Sequence, residues 1–380
     1  MIPFREFVLK VVGRCDLDCD YCYMYHSADQ RWRQQRGVMR EPVAERIAAA
    51  IGAHAGRHGL RDIAVVLHGG EPLLAGGPRL AAIAGAIRAR APDATTVRVS
   101  VQTNGVRLDG DMIAALAAAR IRVAVSLDGD AAGHDRHRRF PNGAGSHAEV
   151  ARALRLLTRP EHRPLFAGLL AVVDLGNDPA AVYRELARHE PPTIDFLLPF
   201  GNWSAPPPGR PPDDSAPYGE WLAAAFDAWY ESPPGRPEVR LFRELITLLM
   251  GGRSRSEQIG LSPPAVIVFN VDGTIEQVDS LRSAYEGAVD TGLSVLTHDL
   301  EVALSHPSVS FRQQGLGALG DECRRCPLVT VCGGGHYTHR YRAGAGFTNP
   351  SVYCADLAHL IRHVRERVQR DVTALRKPDR

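Results

Sequence analysis

Cys15, Cys19 and Cys22 fall within one short stretch, Cys15-Asp16-Leu17-Asp18-Cys19-Asp20-Tyr21-Cys22, in a CxxxCxxC pattern. They come shortly after the apolar run Phe7-Val8-Leu9-Lys10-Val11-Val12. A strand that delivers three thiolates into one tight loop makes a metal site with an incomplete ligand set. Four cysteines would close a tetrahedral zinc site or complete the ligation of a cubane cluster. Three leave one iron of a 4Fe–4S cluster without a protein ligand, free to bind something else. The rest of the chain's 7 cysteines, Cys323, Cys326, Cys332 and Cys354, lie near its other end, and none lies between Cys22 and Cys323. Three plus four reads as one open and one closed site. Taken alone, the second set also suits a zinc ribbon with four cysteine ligands. A secreted disulfide protein would scatter its cysteines, so the clustering points to a reduced, cytoplasmic setting.

The elements that must hold these residues alternate in type. Apolar runs read as strands at Phe7 to Val12, Ile63 to Leu67, Val97 to Val101, Ile121 to Leu127, Phe166 to Val173 and Ile194 to Pro199. Between them, Ala-, Leu- and Arg-rich segments read as helices near Val43 to His58, Pro78 to Arg90, Asp111 to Ala119, His147 to Thr158 and Pro179 to His189. Continuous apolar strands separated by helices predict a parallel sheet covered by helices. Six units in a row predict an α/β fold, a partial (β/α)6 TIM-like barrel, with its chemistry at the C-terminal ends of the strands. The cysteine loop lies at such an end.

The Pro- and Gly-rich stretch 201–217 is expected to be a linker or surface loop. Helices follow near Tyr218 to Tyr230 and Val239 to Met250. Apolar runs flanking Asp272-Gly273 predict a β-hairpin, and Asp356 to about Leu375 an amphipathic helix. The expected units are 1–235, 236–355 and 356–380. With 380 residues, 44% hydrophobic and 23% charged, the composition is that of a globular protein. A formal net charge of +2 gives no steering toward nucleic acid or an anionic membrane. No signal peptide is evident, and no apolar run approaches the roughly 20 residues that span a bilayer.

Other chemistry-bearing residues stand at strand ends. The second strand runs into His68-Gly69-Gly70-Glu71-Pro72, the third into Gln102-Thr103-Asn104-Gly105 and the fourth into Ser126-Leu127-Asp128-Gly129. The glycines allow close backbone approach to a ligand. Plain turns and helix caps account for the same residues without any ligand.

The CxxxCxxC loop, with Tyr21 before its last cysteine and Gly69-Gly70-Glu71 after the second strand, resembles the radical S-adenosylmethionine (SAM) superfamily. The resemblance implies that the open iron chelates SAM, whose reductive cleavage gives a 5′-deoxyadenosyl radical. It implies Gly69, Gly70 and Glu71 at the SAM amino group and Gln102 and Asn104 lining the site. It places Ser126 and Asp128 at the ribose and carboxylate, and Tyr21 near the adenine. From the run His134-Asp135-Arg136-His137-Arg138-Arg139, one arginine, represented by Arg138, would grip the SAM carboxylate; the others are expected in a solvated loop.

The set Cys323, Cys326, Cys332 and Cys354 resembles a SPASM/twitch-like iron–sulfur domain. A full SPASM domain carries two auxiliary clusters. Here Val278 and His336 occupy positions where the first would need cysteines, so one auxiliary 4Fe–4S cluster with four ligands is expected. The loop Gly333-Gly334-Gly335-His336-Tyr337-Thr338-His339-Arg340-Tyr341 resembles the FxsB-type branch of radical SAM/SPASM maturases. This implies modification of a ribosomally made precursor peptide by a carbon–carbon crosslink from an aromatic ring to a nearby Cβ, giving a cyclophane. His336, His339 and Arg340 are expected to bond backbone carbonyls in a fold that covers the cluster. Rearomatisation after crosslinking releases an electron and a proton; Asp279 and Asp195 are the candidate proton acceptors. An external flavodoxin- or ferredoxin-type donor would reduce the first cluster. Two alternatives remain: a sulfatase-type maturase oxidising Cys or Ser to formylglycine, and a non-enzymatic metal- or peptide-binding protein.

Overall fold

The computed structural model describes residues 1–35 and 37–375. Its strands are β1 (Glu6–Val12), β2 (Asp62–Gly69), β3 (Thr96–Thr103), β4 (Ile121–Ser126), β5 (Phe166–Val172), β6 (Thr193–Leu197), β7 (Glu238–Val239), β8 (Val266–Phe269), β9 (Thr274–Glu276) and β10 (Asp290–Ser294). They form one sheet in the order β10-β9-β8-β1-β2-β3-β4-β5-β6-β7. Strands β1 to β7 pair in parallel with their sequence neighbours, as helical crossovers require. The sheet is the partial barrel that the six βα units predict, with boundaries shifted by one or two residues.

The strands are not apolar on both faces. Phe7, Leu9, Val11, Ile63, Val65, Leu67, Val101, Ile121, Val123 and Val125 are buried under the helices. Each such side chain contributes roughly 1.5–3 kcal/mol. The alternate residues, among them Lys10, His68, Gln102, Ser126 and Asp195, share the opposite face, because successive side chains in a strand point to opposite sides. That polar face lines the lumen. Register puts Lys10 beside His68 on the neighbouring strand.

The predicted hairpin forms around Gly273, which adopts φ +89°. Its first strand, β8, pairs in parallel with β1, so the hairpin and β10 extend the barrel sheet past its first strand. Stretch 201–217 is a strap rather than a free linker. Asn202 is fully buried and donates to the Ser283 carbonyl, and Trp203 Nε1 donates to the Pro350 carbonyl. The final helix, Cys354–Leu375, begins on the last cysteine; residues 376–380 of the expected C-terminal unit lie outside the described residues.

Candidate active site and its cysteine loops

The loop carrying Cys15, Cys19 and Cys22 leaves the C-terminal end of β1 and is propped from below by the turn after β2. Gly70 N donates to the Val12 carbonyl at 2.8 Å and Glu71 N to the Arg14 carbonyl at 2.7 Å. A Cβ on Gly70 would lie 2.0 Å from Tyr25 Oη and 2.1 Å from the Arg14 carbonyl oxygen. One on Gly69, at φ +153°, would lie 2.3 Å from the Val12 carbonyl oxygen. The close backbone approach that these glycines allow is therefore made to the cysteine loop itself.

Glu71 is buried, and its carboxylate is engaged within the protein. Oε1 accepts from Thr103 Oγ1 at 2.7 Å and Leu73 N at 2.9 Å, and Oε2 accepts from Asn104 N at 2.8 Å. Burial pushes its pKa up to about 7, against the pull of these donors. Asn104 in turn donates from Nδ2 to Asp16 Oδ1 at 2.8 Å and faces Cys15 Sγ at 3.7 Å. The end of β3 is thus tied both to the turn after β2 and to the cysteine loop. Gln102 Nε2 donates to Ser126 Oγ at 3.0 Å on the lumen face.

The end of β4 forms the other wall. Asp128 Oδ2 accepts from Arg138 Nε at 2.9 Å and from the Tyr21 hydroxyl, while Oδ1 accepts from Val172 N at 3.0 Å. The Arg138 guanidinium sits 5.7 Å from the Tyr21 ring centroid. Burial works against its charge, but Asp128 and Tyr21 hold its pKa above the usual range. Tyr21, Asp128 and Arg138 thus form one contact group beside Cys19. Of the run His134 to Arg139, Arg136 and Arg139 are exposed as expected, but the run begins on a helix rather than in a loop. Helix Ala131–His137 places His134 fully inside, where Nδ1 accepts from Asp128 N and Nε2 pairs with Ser146 Oγ. Arg136 pairs with Asp174, and His137 with Asp20 and Asp174.

Asp279 and Asp195 lie on different parts of the lumen wall. Asp279 Oδ2 is 2.5 Å from Lys10 Nζ, which also meets His68 Nδ1 at 3.1 Å and Met24 Sδ at 3.2 Å. Its Oδ1 is buried without a hydrogen-bond partner. Burial opposes its ionisation, yet Lys10, His68 and Arg282 hold its pKa below the usual range. Asp195 is gripped by Arg240, and burial pushes its pKa up. Lys10 and His68 are members of this site that the strand pattern did not reveal. The available signal was a lysine inside an otherwise apolar strand.

The four distal cysteines converge. Cys354 stands near Cys323 and Cys326, and Cys332 near Cys323 and Cys354. Gly333, Gly334 and Gly335 all take positive φ (62°, 78° and 66°). Arg340 clamps their carbonyls, donating to Gly333 at 2.8 Å, Gly334 at 3.0 Å and Gly335 at 2.8 Å. His336 and His339 depart from the expectation of carbonyl bonding: their rings face Phe200, and His339 Nε2 is buried without a partner. A run of rings joins the two cysteine loops. Tyr23, next to Cys22, meets Phe200 at 5.0 Å; Phe200 meets His339 at 5.9 Å; His339 meets Tyr353, next to Cys354, at 4.8 Å. Val278 sits in an apolar cluster with Leu281, Ala284, Ala288 and Val289.

Both cysteine sets suit iron–sulfur ligation by donor chemistry. Burial pushes Cys19 and Cys354 up to about 11 and Cys332 up to about 12, so these thiols keep their protons until a metal displaces them. Arg138 beside Cys19, and Arg340 beside Cys323 and Cys332, offset the negative charge of such a site.

Residues 9–161 match the sequence profile of the radical SAM superfamily. The protein is a radical SAM enzyme. Over 353 residues it is 28% identical to a serine-type anaerobic sulfatase-maturating enzyme of Klebsiella aerogenes, covering 90% of this chain and 82% of the relative. Its fold is similar to that of native anSMEcpe with bound AdoMet and Kp18Cys peptide, with a TM-score of 0.82 at 21% identity, covering 97% of this chain and 99% of that one. It is also similar to Streptococcus suis SuiB bound to precursor peptide SuiA, with a TM-score of 0.61 at 15% identity, covering 93% and 76%. The protein uses SAM and 4Fe–4S clusters; Cys15, Cys19 and Cys22 in their CxxxCxxC spacing, and the set Cys323, Cys326, Cys332 and Cys354, are the residues that could hold them. Among the described residues, no helix is long and apolar enough to cross a membrane.

Proposed function

We propose that this radical SAM enzyme modifies a ribosomally made precursor peptide, forming a carbon–carbon crosslink between an aromatic side chain and the Cβ of a nearby residue. When bound, the first cluster and SAM supply the oxidant that removes hydrogen from an unactivated C–H bond. Arg138 and Asp128 position the SAM carboxylate and ribose, with Tyr21 beside the adenine; Gly69, Gly70 and Glu71 fix the cysteine loop over the lumen. Gln102, Ser126 and Asn104 line the polar wall. After hydrogen abstraction and attack on the aromatic ring, one electron and one proton must leave, so the net change is the loss of two hydrogens. Asp279 accepts the proton: its Oδ1 is free of internal bonds, and Lys10 keeps it ionised. Asp195, held by Arg240 through Oδ2 and with its own Oδ1 unpartnered, is the second candidate; burial pushes its pKa up, whereas Asp279 is kept ionised. The four distal cysteines hold the group that takes the electron, and a flavodoxin- or ferredoxin-type donor resets the first cluster.

The observation that carries this reading is the placement of Val278 within an apolar cluster, together with His336 against Phe200. Those are the positions where the resemblance would call for ligands of a further cluster, and the absence of cysteines there counts against the sulfatase-type reading. The likeness to sulfatase-maturating enzymes across most of the chain favours a second reading, oxidation of a peptide Cys or Ser to formylglycine. Anaerobic reaction with synthetic peptides that carry an aromatic residue together with a Cys or Ser separates the two. A crosslink gives loss of two hydrogens and blocks fragmentation between the joined residues; formylglycine gives an aldehyde that reacts with a hydrazine. Cys354→Ala is expected to keep SAM cleavage and lose the crosslink; unchanged crosslinked product would remove the auxiliary cluster from the reaction.

A further inference from the structure

A cluster of nitrogen and oxygen donors lies on the outer side of β1, away from the cysteine loops. His54 and His58 stand one turn apart at the end of helix Glu41–Arg57, and Glu301 reaches them from the short helix Leu300–Leu304. His54 Nδ1 is 2.7 Å from Glu301 Oε1, and His58 Nε2 is 3.1 Å from Oε1 and 3.0 Å from Oε2. One ligand atom from each residue can be chosen so that all lie within 4.8 Å of one another. We propose that His54, His58 and Glu301 bind a divalent first-row transition-metal ion, zinc above all, that ties helix Glu41–Arg57 to the segment following the hairpin.

Two histidines one helical turn apart present their rings on the same face, and a carboxylate from a facing helix completes a three-ligand zinc set. Tetrahedral zinc with ligands at about 2.0–2.1 Å sets neighbouring donors roughly 3.3 Å apart, so the His–Glu spacings must open by about 0.2–0.6 Å, and the two histidine nitrogens, within 4.8 Å of each other, must come to the same separation. Two nitrogens among three donors select against magnesium and calcium, which take oxygen ligands. The fourth position falls on the open side, since the His58 and Glu301 side chains are each 26% exposed while His54 is closed off.

The second, independent observation concerns His54. When its Nδ1–H donates to Glu301, Nε2 is left as a buried acceptor that makes no well-formed hydrogen bond, with only the backbone of Phe4 beside it. An ion on Nδ1 moves the proton to Nε2, where the backbone of Phe4 stands beside the ring. A metal-bound histidine whose second nitrogen donates to a backbone carbonyl is a common arrangement. The Phe4 and Phe7 rings, 5.6 and 6.1 Å from the imidazole, hold it in place.

The test uses the cluster-loaded enzyme, stripped of loose metal with a chelator under anaerobic conditions and titrated with zinc chloride against a chromophoric competitor. Wild type, His58→Gln and Glu301→Gln are compared; His54 is left intact because it is buried. Wild type is expected to take up one zinc more than either variant, with affinity in the variants weaker by about tenfold or more. Zinc is expected to raise the unfolding temperature of wild type and not of Glu301→Gln. Zinc that persists unchanged in both variants belongs to cysteines and overturns the proposal. So does a wild-type protein whose stability exceeds that of Glu301→Gln by the same margin with and without zinc, because the three side chains then act only as a hydrogen-bonded staple.

Discussion

Lys10 Nζ lies 2.5 Å from Asp279 Oδ2, joining the first strand of the sheet to the turn that follows the hairpin. The contact brings the one lysine of an otherwise apolar strand against the carboxylate proposed as proton acceptor. Asp279→Asn is expected to cleave SAM at near wild-type rates while forming peptide product about 10²–10⁴-fold more slowly. Quantifying 5′-deoxyadenosine and product in the same reaction checks this; Asp195→Asn should leave the ratio of the two near that of wild type. Lys10→Met removes the cation in direct contact with Asp279 and leaves only Arg282 nearby; it should cost up to about 3–5 kcal/mol of stability, read from urea unfolding.

Gly70→Ala should disturb the first cysteine loop selectively. The added Cβ meets the Arg14 carbonyl, which is backbone and has little room to yield. The expected outcome is a cost of about 1–3 kcal/mol or more and loss of the first cluster, with iron and sulfide falling to the content of the auxiliary cluster alone. Gly85→Ala, in a helix with nothing within 4 Å of the added atom, should retain both clusters and gain about 0.5–1 kcal/mol. Equal iron content in the two variants would contradict the strut role of the turn.

Arg340→Leu removes the donors to three glycine carbonyls and the cation beside Cys323 and Cys332. We expect the complementary result: the auxiliary cluster is lost or loaded incompletely, while the SAM-binding cluster and SAM cleavage survive. Iron analysis and electron paramagnetic resonance of the reduced protein distinguish this from general unfolding, which would remove both clusters.

His134 gives a pH signature. Burial, aided by Arg138, pushes its pKa down to about 4. The unfolded chain takes up the proton near pH 6.5, so the folded state loses stability as pH falls from about 6.5 to about 4 and keeps it above that window. The contribution of this one group is about 3 kcal/mol over the window. His134→Gln should show a shallower decline of unfolding free energy between pH 6.5 and 4. Parallel profiles for the two proteins would show that His134 is protonated in the folded state.

The parts of the fold set by local periodicity were legible in the chain: six strands, the helices between them, and the hairpin at Asp272-Gly273. What was not legible depended on pairing between distant segments. Nothing near Val266 says that β8 will lie beside β1, and the two residues of β7 are too few to carry a pattern. The apolar runs also concealed which face of each strand looks inward, and so hid the Lys10–His68 pair. In the site, cysteine spacing marked both loops. It did not show that Glu71 bonds Thr103, Leu73 and Asn104, or that His134 is enclosed. Residue types alone do not tell a ligand contact from a strut, because both use the same donors and acceptors.

The four rings from Tyr23 through Phe200 and His339 to Tyr353 make the two cysteine loops mechanically dependent on each other. Close-packed rings transmit displacement with little give. Phe200→Ala would therefore unpack Tyr23 beside Cys22 and His339 beside Tyr353 at once.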